Sequence, residues 1–190
     1  MKQFMVDVET LSTKDDAVVL SAAITWFDAA DTDVTYDDLV ARSLYVKFDA
    51  KEQIDKYQRK VSSDTLQWWS QQSESIRKLC FKPSPKDSSA VEGIEKIRAY
   101  IKSVNPNETL FWARGSLDSR VLEFLCGAVG VAPIARYNQW MDVRTAIRLL
   151  KETTNAAGYC PIPDFDDSVI MKHNPLDDIA LDVLMLVRGV

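Results

Sequence analysis

The chain contains few of the residues that build zinc sites and disulfide frameworks. Among its 190 residues there are one histidine and three cysteines, and no two cysteines form a CxxC pair. This scarcity excludes an ordinary structural zinc centre, which is a cluster of cysteine and histidine ligands. An odd number of cysteines without a secretion signal favours free thiols in a reducing compartment, so we expect a cytoplasmic protein.

Long apolar runs and excess positive charge are also absent. No run approaches the ~20 apolar residues of a membrane-spanning helix, and Asp7 and Glu9 interrupt any signal-peptide core, so we expect no membrane partner. Acidic residues outnumber basic ones by 28 to 23, which gives a net charge of −5. This balance argues against a broad basic face that grips duplex, because such binding rests on many contacts to phosphate. Divalent cations held by acidic residues would still make a site locally cationic toward phosphate.

The order of predicted elements indicates one α/β domain over residues 1–190, in which helices cover a mixed sheet. Apolar, β-prone segments predict three strands first, and the first two are expected to pair as an antiparallel hairpin with a wide loop. A fourth strand and several amphipathic helices follow. The strands are predicted at 4–8, 17–27, 44–48 and 109–113, and the helices at 62–69, 91–104, 118–129, 143–150 and 175–187.

Asp7 and Glu9 form the first candidate site. On a strand, residues i and i+2 project to the same face, so these carboxylates lie together near the carboxyl end of the first strand. Adjacent acids repel each other unless a cation compensates them. A solvated strand end with incidental acids is the competing interpretation.

Asp118 is the second candidate. A buried apolar strand is predicted to turn through Gly115 into a helix, and Asp118 stands in the first turn of that helix. The helix dipole favours a carboxylate at this place. Structural capping alone would also explain the residue.

The only histidine, His173, carries the most information. It precedes the last predicted helix, whose first turn holds Asp177 and Asp178. Histidine accepts a proton near neutral pH, so beside a metal-holding aspartate it would activate an attacking water. A lone histidine is more often structural or exposed, which is the alternative. Asp182 lies one turn beyond Asp178, and we expect it to face solvent rather than to support the ligands.

These acids and the histidine match the needs of phosphodiester hydrolysis. The reaction requires a deprotonated water and a stabilised leaving oxyanion, and two cations about 4 Å apart serve both. Oxygen-rich ligands suit Mg²⁺ or Mn²⁺. The sequence therefore predicts a site for two divalent cations.

The same residues resemble the DEDDh class of 3′–5′ exonucleases, which has a ribonuclease H-like fold. The matching motifs are Asp7-Val-Glu-Thr, Asp118 after a Trp-Ala-Arg-Gly turn, and His173 with four residues before Asp178. This last spacing selects Asp178 over Asp177. The resemblance implies that the metal ligands are Asp7, Glu9, Asp118 and Asp178, and that His173 is the general base.

Other segments resemble exonuclease A of T-even bacteriophages and related bacterial exoribonucleases, at 63–73, 142–145 and 182–185. The resemblance implies an exonuclease that releases 5′-mononucleotides from the 3′ end of single-stranded DNA, in the host cytoplasm if the gene belongs to a phage. Because the bacterial exoribonucleases share these segments, short or 3′-tailed RNA is the alternative substrate. Arg114 and Arg144 are candidate phosphate contacts.

The resemblance also suggests substrate contacts close to the acids. It implies that Thr10 lies near the terminal sugar or phosphate and that Leu11 contacts the terminal base. Trp68 and Trp69 point about 100° apart on a helix, so one is expected to pack inward while the other stacks on a base. We assign the stacking role to Trp69.

An alternative of another class is a non-catalytic module that binds nucleic acid or accompanies a proofreading polymerase. Such a module is expected to have lost an acid or the histidine. All five positions are intact in this chain. The sequence identifies no protein partner.

Overall fold

A mixed five-stranded sheet forms the centre of the molecule, seen in a computed structural model that describes residues 1–105, 107 and 109–190. The strands are β1 (Lys2–Thr10), β2 (Val19–Asp28), β3 (Leu44–Lys47), β4 (Phe111–Ala113) and β5 (Trp140–Asp142). Their order in the sheet is β3-β2-β1-β4-β5. The β1–β2 and β2–β3 pairs are antiparallel, while β4 runs parallel to both β1 and β5.

Helices cover both faces of this sheet. A π-helical turn, Arg77–Phe81, follows the short fourth helix, and 3₁₀ turns occupy Tyr137–Gln139 and Asp167–Val169. None of the helices in the described part of the chain is both long and apolar enough to cross a bilayer. The α-helices are α1 (Tyr36–Arg42), α2 (Ala50–Tyr57), α3 (Ser63–Ser70), α4 (Glu74–Ile76), α5 (Ala90–Val104), α6 (Leu117–Ala128), α7 (Val143–Leu150) and α8 (Pro175–Arg188).

The central strand β1 decides which face carries the first two acids. Its side chains alternate, so Val6 and Val8 pack into the core beneath α5 and α6, while Met5 packs into the core beneath α7 and α8. Asp7 and Glu9 continue the row of Met5. Both carboxylates therefore face the layer that contains α8.

The last helix is a buried wall on that face. Ile179, Ala180, Val183 and Leu184 are fully buried against β1, β2 and α7. Asn174 caps the helix by accepting a hydrogen bond from the backbone of Leu176, and Pro175 follows at the first turn, where its fixed φ suits a helix. The helix therefore starts at a defined residue close to the end of β1.

The predicted mixed sheet, the β1–β2 hairpin and the five predicted helices are confirmed. The prediction omitted α1, α2, α4 with its π turn, and β5. These elements are short: β5 has three residues and α1 has seven, which is too few for periodicity to identify. A capping box between Thr35 and Asp38 starts α1 instead.

Candidate active site

Five residues that the sequence singled out line a single cleft of about 630 Å³. Asp7 and Glu9 come from β1, while Asp118 and Asp178 come from the first turns of α6 and α8. His173 enters from the loop before α8. The fold therefore brings together residues that are separated by up to 171 positions of sequence (178 − 7).

The position of Asp118 is not that of a helix cap. The capping residue of α6 is Ser116, and the Asp118 carboxylate lies near the backbone of Val8 on β1, which partly offsets the rise in the Asp118 pKa. Gly115 makes the turn from β4 with φ +91, a conformation that side chains disfavour. Asp118 is thus directed across the sheet toward the β1 acids.

Burial raises the pKa of all four carboxyl groups, and the charges of neighbouring acids add to this effect. Asp7 has a pKa well above its usual value because it is buried and because the charges of Asp118 and Glu9 repel its own. Burial is also the main cause that raises the pKa of Asp118 and of Asp178 to about 7. A cluster of this kind holds its full negative charge only when a cation compensates it.

The donor set fits divalent cations. The Oδ2 atom of Asp7 is buried and has no hydrogen-bond partner among the described residues. A buried carboxylate oxygen without a partner costs free energy, which a bound cation would remove. The surrounding ligands are carboxylate oxygens, which are the hard donors that Mg²⁺ and Mn²⁺ prefer.

His173 lies within reach of the same cluster. An imidazole nitrogen and carboxylate oxygens of Glu9 and Asp178 all lie within 4.8 Å of one another. Burial, and then the charge of Lys172, lower the pKa of the imidazole. His173 also has φ +65, a left-handed conformation that costs a residue with a side chain about 1 kcal/mol or more.

Two contacts that the sequence did not predict hold His173. The indole ring of Trp68 packs against the imidazole, and the Cys80 thiol donates a weak 3.8 Å hydrogen bond to the His173 carbonyl. Trp68 belongs to α3 and Cys80 to the π turn. No local sequence signal links either residue to position 173, so only the fold reveals these contacts.

The predicted stacking role of Trp69 is wrong. Its side chain is fully buried, lies parallel to Phe81 with ring centroids 5.8 Å apart, and donates from Nε1 to the Thr10 carbonyl at 2.9 Å. No face of this indole is free for a base. Trp68 is the exposed member of the pair, with 37% of its surface accessible.

Thr10 and Leu11 follow the β1 acids but do not line the cleft. The Thr10 hydroxyl donates to the Ser12 carbonyl at 2.7 Å, and Leu11 is 5% exposed in a small core with Trp69. Their main contacts support the end of β1. Contact of either residue with a substrate stays a prediction.

Asp182 does not face solvent, which corrects the sequence prediction. It is 8% exposed and accepts hydrogen bonds from Arg114 Nε at 2.9 Å and Nη2 at 2.5 Å. The guanidinium also donates to the Ala157 carbonyl at 2.5 Å and lies 4.2 Å from the ring of Tyr159. Arg114 borders the cleft, but these internal partners occupy most of its donors. Arg144 borders the cleft as well.

The sequence profile of the family described as the 3′–5′ exoribonuclease Rv2179c-like domain matches residues 2–187. The chain belongs to this family. Together with the ordered acids and the histidine, the comparisons show that the chain is a 3′–5′ exonuclease of the DEDDh class. The exodeoxyribonuclease of Enterobacteria phage T4 is 32% identical over 207 aligned residues, which cover 98% of this chain and 88% of that protein.

Two solved structures share the fold of this Rv2179c-like chain. The nuclease domain of 3′hExo, a DEDDh family member bound to rAMP, has a TM-score of 0.67 at 11% identity and covers 98% of this chain and 90% of its own. The RNase domain of the yeast Pop2 protein has a TM-score of 0.51 at 12% identity, and the alignment covers 97% of this chain and 76% of that domain's chain. The predicted ribonuclease H-like fold is confirmed.

Proposed function

We propose that this chain is a divalent-cation-dependent exonuclease that releases 5′-mononucleotides from the 3′ end of single-stranded DNA. The observation that carries the proposal is the convergence of His173 with four carboxylates, one buried and three partly buried, in one cleft. The preference for DNA is supported by similarity to a phage protein named exodeoxyribonuclease, across 98% of this chain.

Four carboxylates would hold the cations: Asp7, Glu9, Asp118 and Asp178. Two Mg²⁺ or Mn²⁺ ions, when bound, make a water more acidic and neutralise charge on the leaving oxygen. The chain supplies ligands from β1, α6 and α8, which are packed elements rather than mobile loops. The ligands are therefore held in place before substrate arrives, which lowers the cost of organising the site.

His173 would act as the general base. Its lowered pKa keeps the imidazole neutral near pH 7, and the neutral form has a nitrogen that accepts a proton. Glu9 and Asp178 lie beside that nitrogen, so the proton is taken at the centre of the carboxylate cluster. Trp68 limits the directions in which the imidazole can turn.

A second candidate is a 3′–5′ exoribonuclease that acts on short or 3′-tailed RNA. It is favoured by the family description, which names an exoribonuclease, and by the rAMP bound to the 3′hExo nuclease domain. RNA differs from DNA at the 2′-hydroxyl, which both donates and accepts hydrogen bonds.

The deciding experiment uses matched DNA and RNA single strands of identical sequence, with uracil in both and a 5′ fluorescent label. Initial trimming rates are measured in MgCl₂ and again in EDTA. We expect Mg²⁺-dependent laddering from the 3′ end with a higher kcat/KM for DNA. A higher kcat/KM for RNA would make the exoribonuclease assignment correct instead. Binding of both strands with no trimming of either strand in MgCl₂ would favour a non-catalytic module.

A further inference from the structure

A second concave surface lies outside the active-site cleft and has the opposite charge from the chain as a whole. It is a groove of about 600 Å³ between β3, the π turn and α5. The chain has a net charge of −5, yet lysines outnumber acids in this lining by four to one. The charged residues of this lysine groove are Lys47, Lys78, Lys86, Lys96 and Asp87.

The single acid of the groove is already compensated. Asp87 lies 3.8 Å from Lys47 Nζ and accepts a 2.8 Å hydrogen bond from the backbone of Ser84. Lys47 is largely buried and also donates to the carbonyls of Lys78 and Lys82. The Lys47–Asp87 pair therefore stabilises the base of the groove. The exposed lysines at its edge, called the rim lysines, give the groove an excess of positive charge.

The rim lysines are available to a ligand. Lys78 and Lys86 are exposed, and neither forms an ion pair with a residue that the structure describes. Lys96 is also exposed and donates from Nζ to the Ser88 hydroxyl at 2.7 Å. The Ser88 hydroxyl is neutral, and the acid that interacts with this ammonium group is Glu92, which lies one helical turn earlier on α5 and outside the groove lining. Three exposed lysines thus line one concave surface whose lining contains a single acid.

The π turn lies between the lysine groove and His173 of the active-site cleft. On the buried side of this turn, Cys80 contacts the His173 carbonyl. On the groove side, Tyr45 from β3 donates to the Leu79 carbonyl at 2.9 Å, and Lys78 projects into the lining. A helical segment is about 10 Å across, so the two surfaces lie roughly one segment apart.

We propose that the lysine groove binds the phosphate backbone of the single strand upstream of the nucleotide being removed. An exonuclease cleft takes the 3′ end, and the rest of the polyanion must lie on the surface of a chain that is acidic overall. A concave basic surface next to the cleft is where a phosphate backbone meets attraction instead of repulsion. This inference rests on the proposed function, since it assigns a path to the same substrate.

The test reverses two rim charges with Lys78→Glu and Lys86→Glu together. The matched control variant carries Lys56→Glu and Lys102→Glu, which make the same change in net charge at exposed lysines outside the groove. Affinity for a 5′-labelled 20-nucleotide single strand is measured by fluorescence anisotropy in EDTA over a series of salt concentrations. Trimming of the same strand and of a dinucleotide is measured in MgCl₂.

The groove variant is expected to bind the 20-mer about tenfold or more weakly at low salt than the control variant does. Its slope of log affinity against log salt falls by about 1.4, because two contacts to single-strand phosphates are lost. The KM for the 20-mer rises while trimming of the dinucleotide changes less than about twofold. Equal affinity and equal salt slope in the groove and control variants would overturn the proposal. It would also be overturned if the unmodified chain bound poly-glutamate and did not bind the 20-mer.

The activity and anisotropy measurements distinguish failure of the groove proposal from failure of the exonuclease proposal. If the unmodified chain trims no substrate, the proposed function fails, but anisotropy in EDTA still decides the groove because it needs no turnover. If the unmodified chain trims both strands and the groove variant matches it at every length, only the groove is rejected.

Discussion

The indole ring of Trp68 meets the imidazole of His173 edge to face, with ring centroids 4.7 Å apart and ring planes at 83°. Aromatic pairs in this arrangement contribute about 0.5–1.5 kcal/mol beyond their buried area. His173 needs such support because its backbone has φ +65 and its loop precedes α8. We therefore expect Trp68 to act as a positioning residue for His173, the proposed base.

Replacing Trp68 with Ala is expected to lower kcat by up to about tenfold, because the imidazole loses the contact that fixes its orientation. Trp68→Phe should retain most of the rate, since an aromatic edge remains. The measurement is kcat and KM on a 5′-labelled single strand, with a pH–rate profile for each variant. A rise in KM with unchanged kcat would instead make Trp68 a substrate contact.

Replacing His173 with Ala tests the base role against a role as metal ligand, because its nitrogen lies near two carboxylates. Removal of a general base lowers turnover by about 10²–10⁴-fold. We expect that loss at saturating Mn²⁺, with Mn²⁺ affinity by calorimetry largely unchanged. Weaker Mn²⁺ binding together with normal turnover at saturating metal would contradict the base role.

The Arg114–Asp182 pair is expected to stabilise the fold beneath the site. Both side chains are largely buried, at 14% and 11% exposure, so removing one leaves the other without its partner. Asp182→Ala should reduce the free energy of unfolding by about 3 kcal/mol. Asp55→Ala, which breaks the exposed pair with Lys51, should cost at most about 1 kcal/mol. Urea denaturation measures both.

A double variant refines that prediction. If Arg114 and Asp182 interact, replacing both with Ala should cost clearly less than the two single losses added together. Additive losses would mean that each residue stabilises the protein through other neighbours, such as the loop carbonyls that Arg114 contacts.

The metal-free protein should lose stability as the pH rises. Burial raises the pKa of Asp118 and Asp178 to about 7, above the values of an unfolded chain near 4. The folded state therefore binds more protons than the unfolded state between about pH 4 and pH 7, so the free energy of unfolding falls as the pH rises through this range. In EDTA, Tm should be several degrees lower at pH 8 than at pH 5.

Mg²⁺ should reverse this trend, since a cation replaces the lost protons. The increase in Tm on adding MgCl₂ is expected to be larger at pH 8 than at pH 5. A Tm in EDTA that stays constant or rises between these pH values would show that the four carboxylates do not control stability.

The grouping of the candidate site residues in pairs was predictable from sequence because each pair is local. A two-residue spacing on a strand gives Asp7 and Glu9 one face, and the His-x4-Asp spacing gives His173 and Asp178 one helix start. Side-chain alternation on a strand and the sequence signals of a helix start do not depend on distant parts of the fold. The long strands and amphipathic helices were predictable for the same reason.

Contacts between distant segments were not predictable. The choice between Trp68 and Trp69 depends on how α3 is rotated against the core, and adjacent positions carry the same residue type. Asp182 is buried against Arg114, which lies 68 positions earlier in the chain, and no helical pattern indicates such a partner. Short β5 exists because β4 offers it an edge to pair with.

The most direct test of the active site compares two neighbouring acids in the first turn of α8. Asp178→Asn removes a proposed ligand. Asp177→Asn keeps one oxygen that can accept from the backbone of Met171, and its NH₂ group can donate to the Tyr36 hydroxyl in place of the present bond. Mg²⁺-dependent trimming of a 5′-labelled single strand is measured for both. Near-complete loss with Asp178→Asn and most activity with Asp177→Asn is the predicted result. Trimming by Asp178→Asn at the rate of the unmodified chain would contradict the assignment.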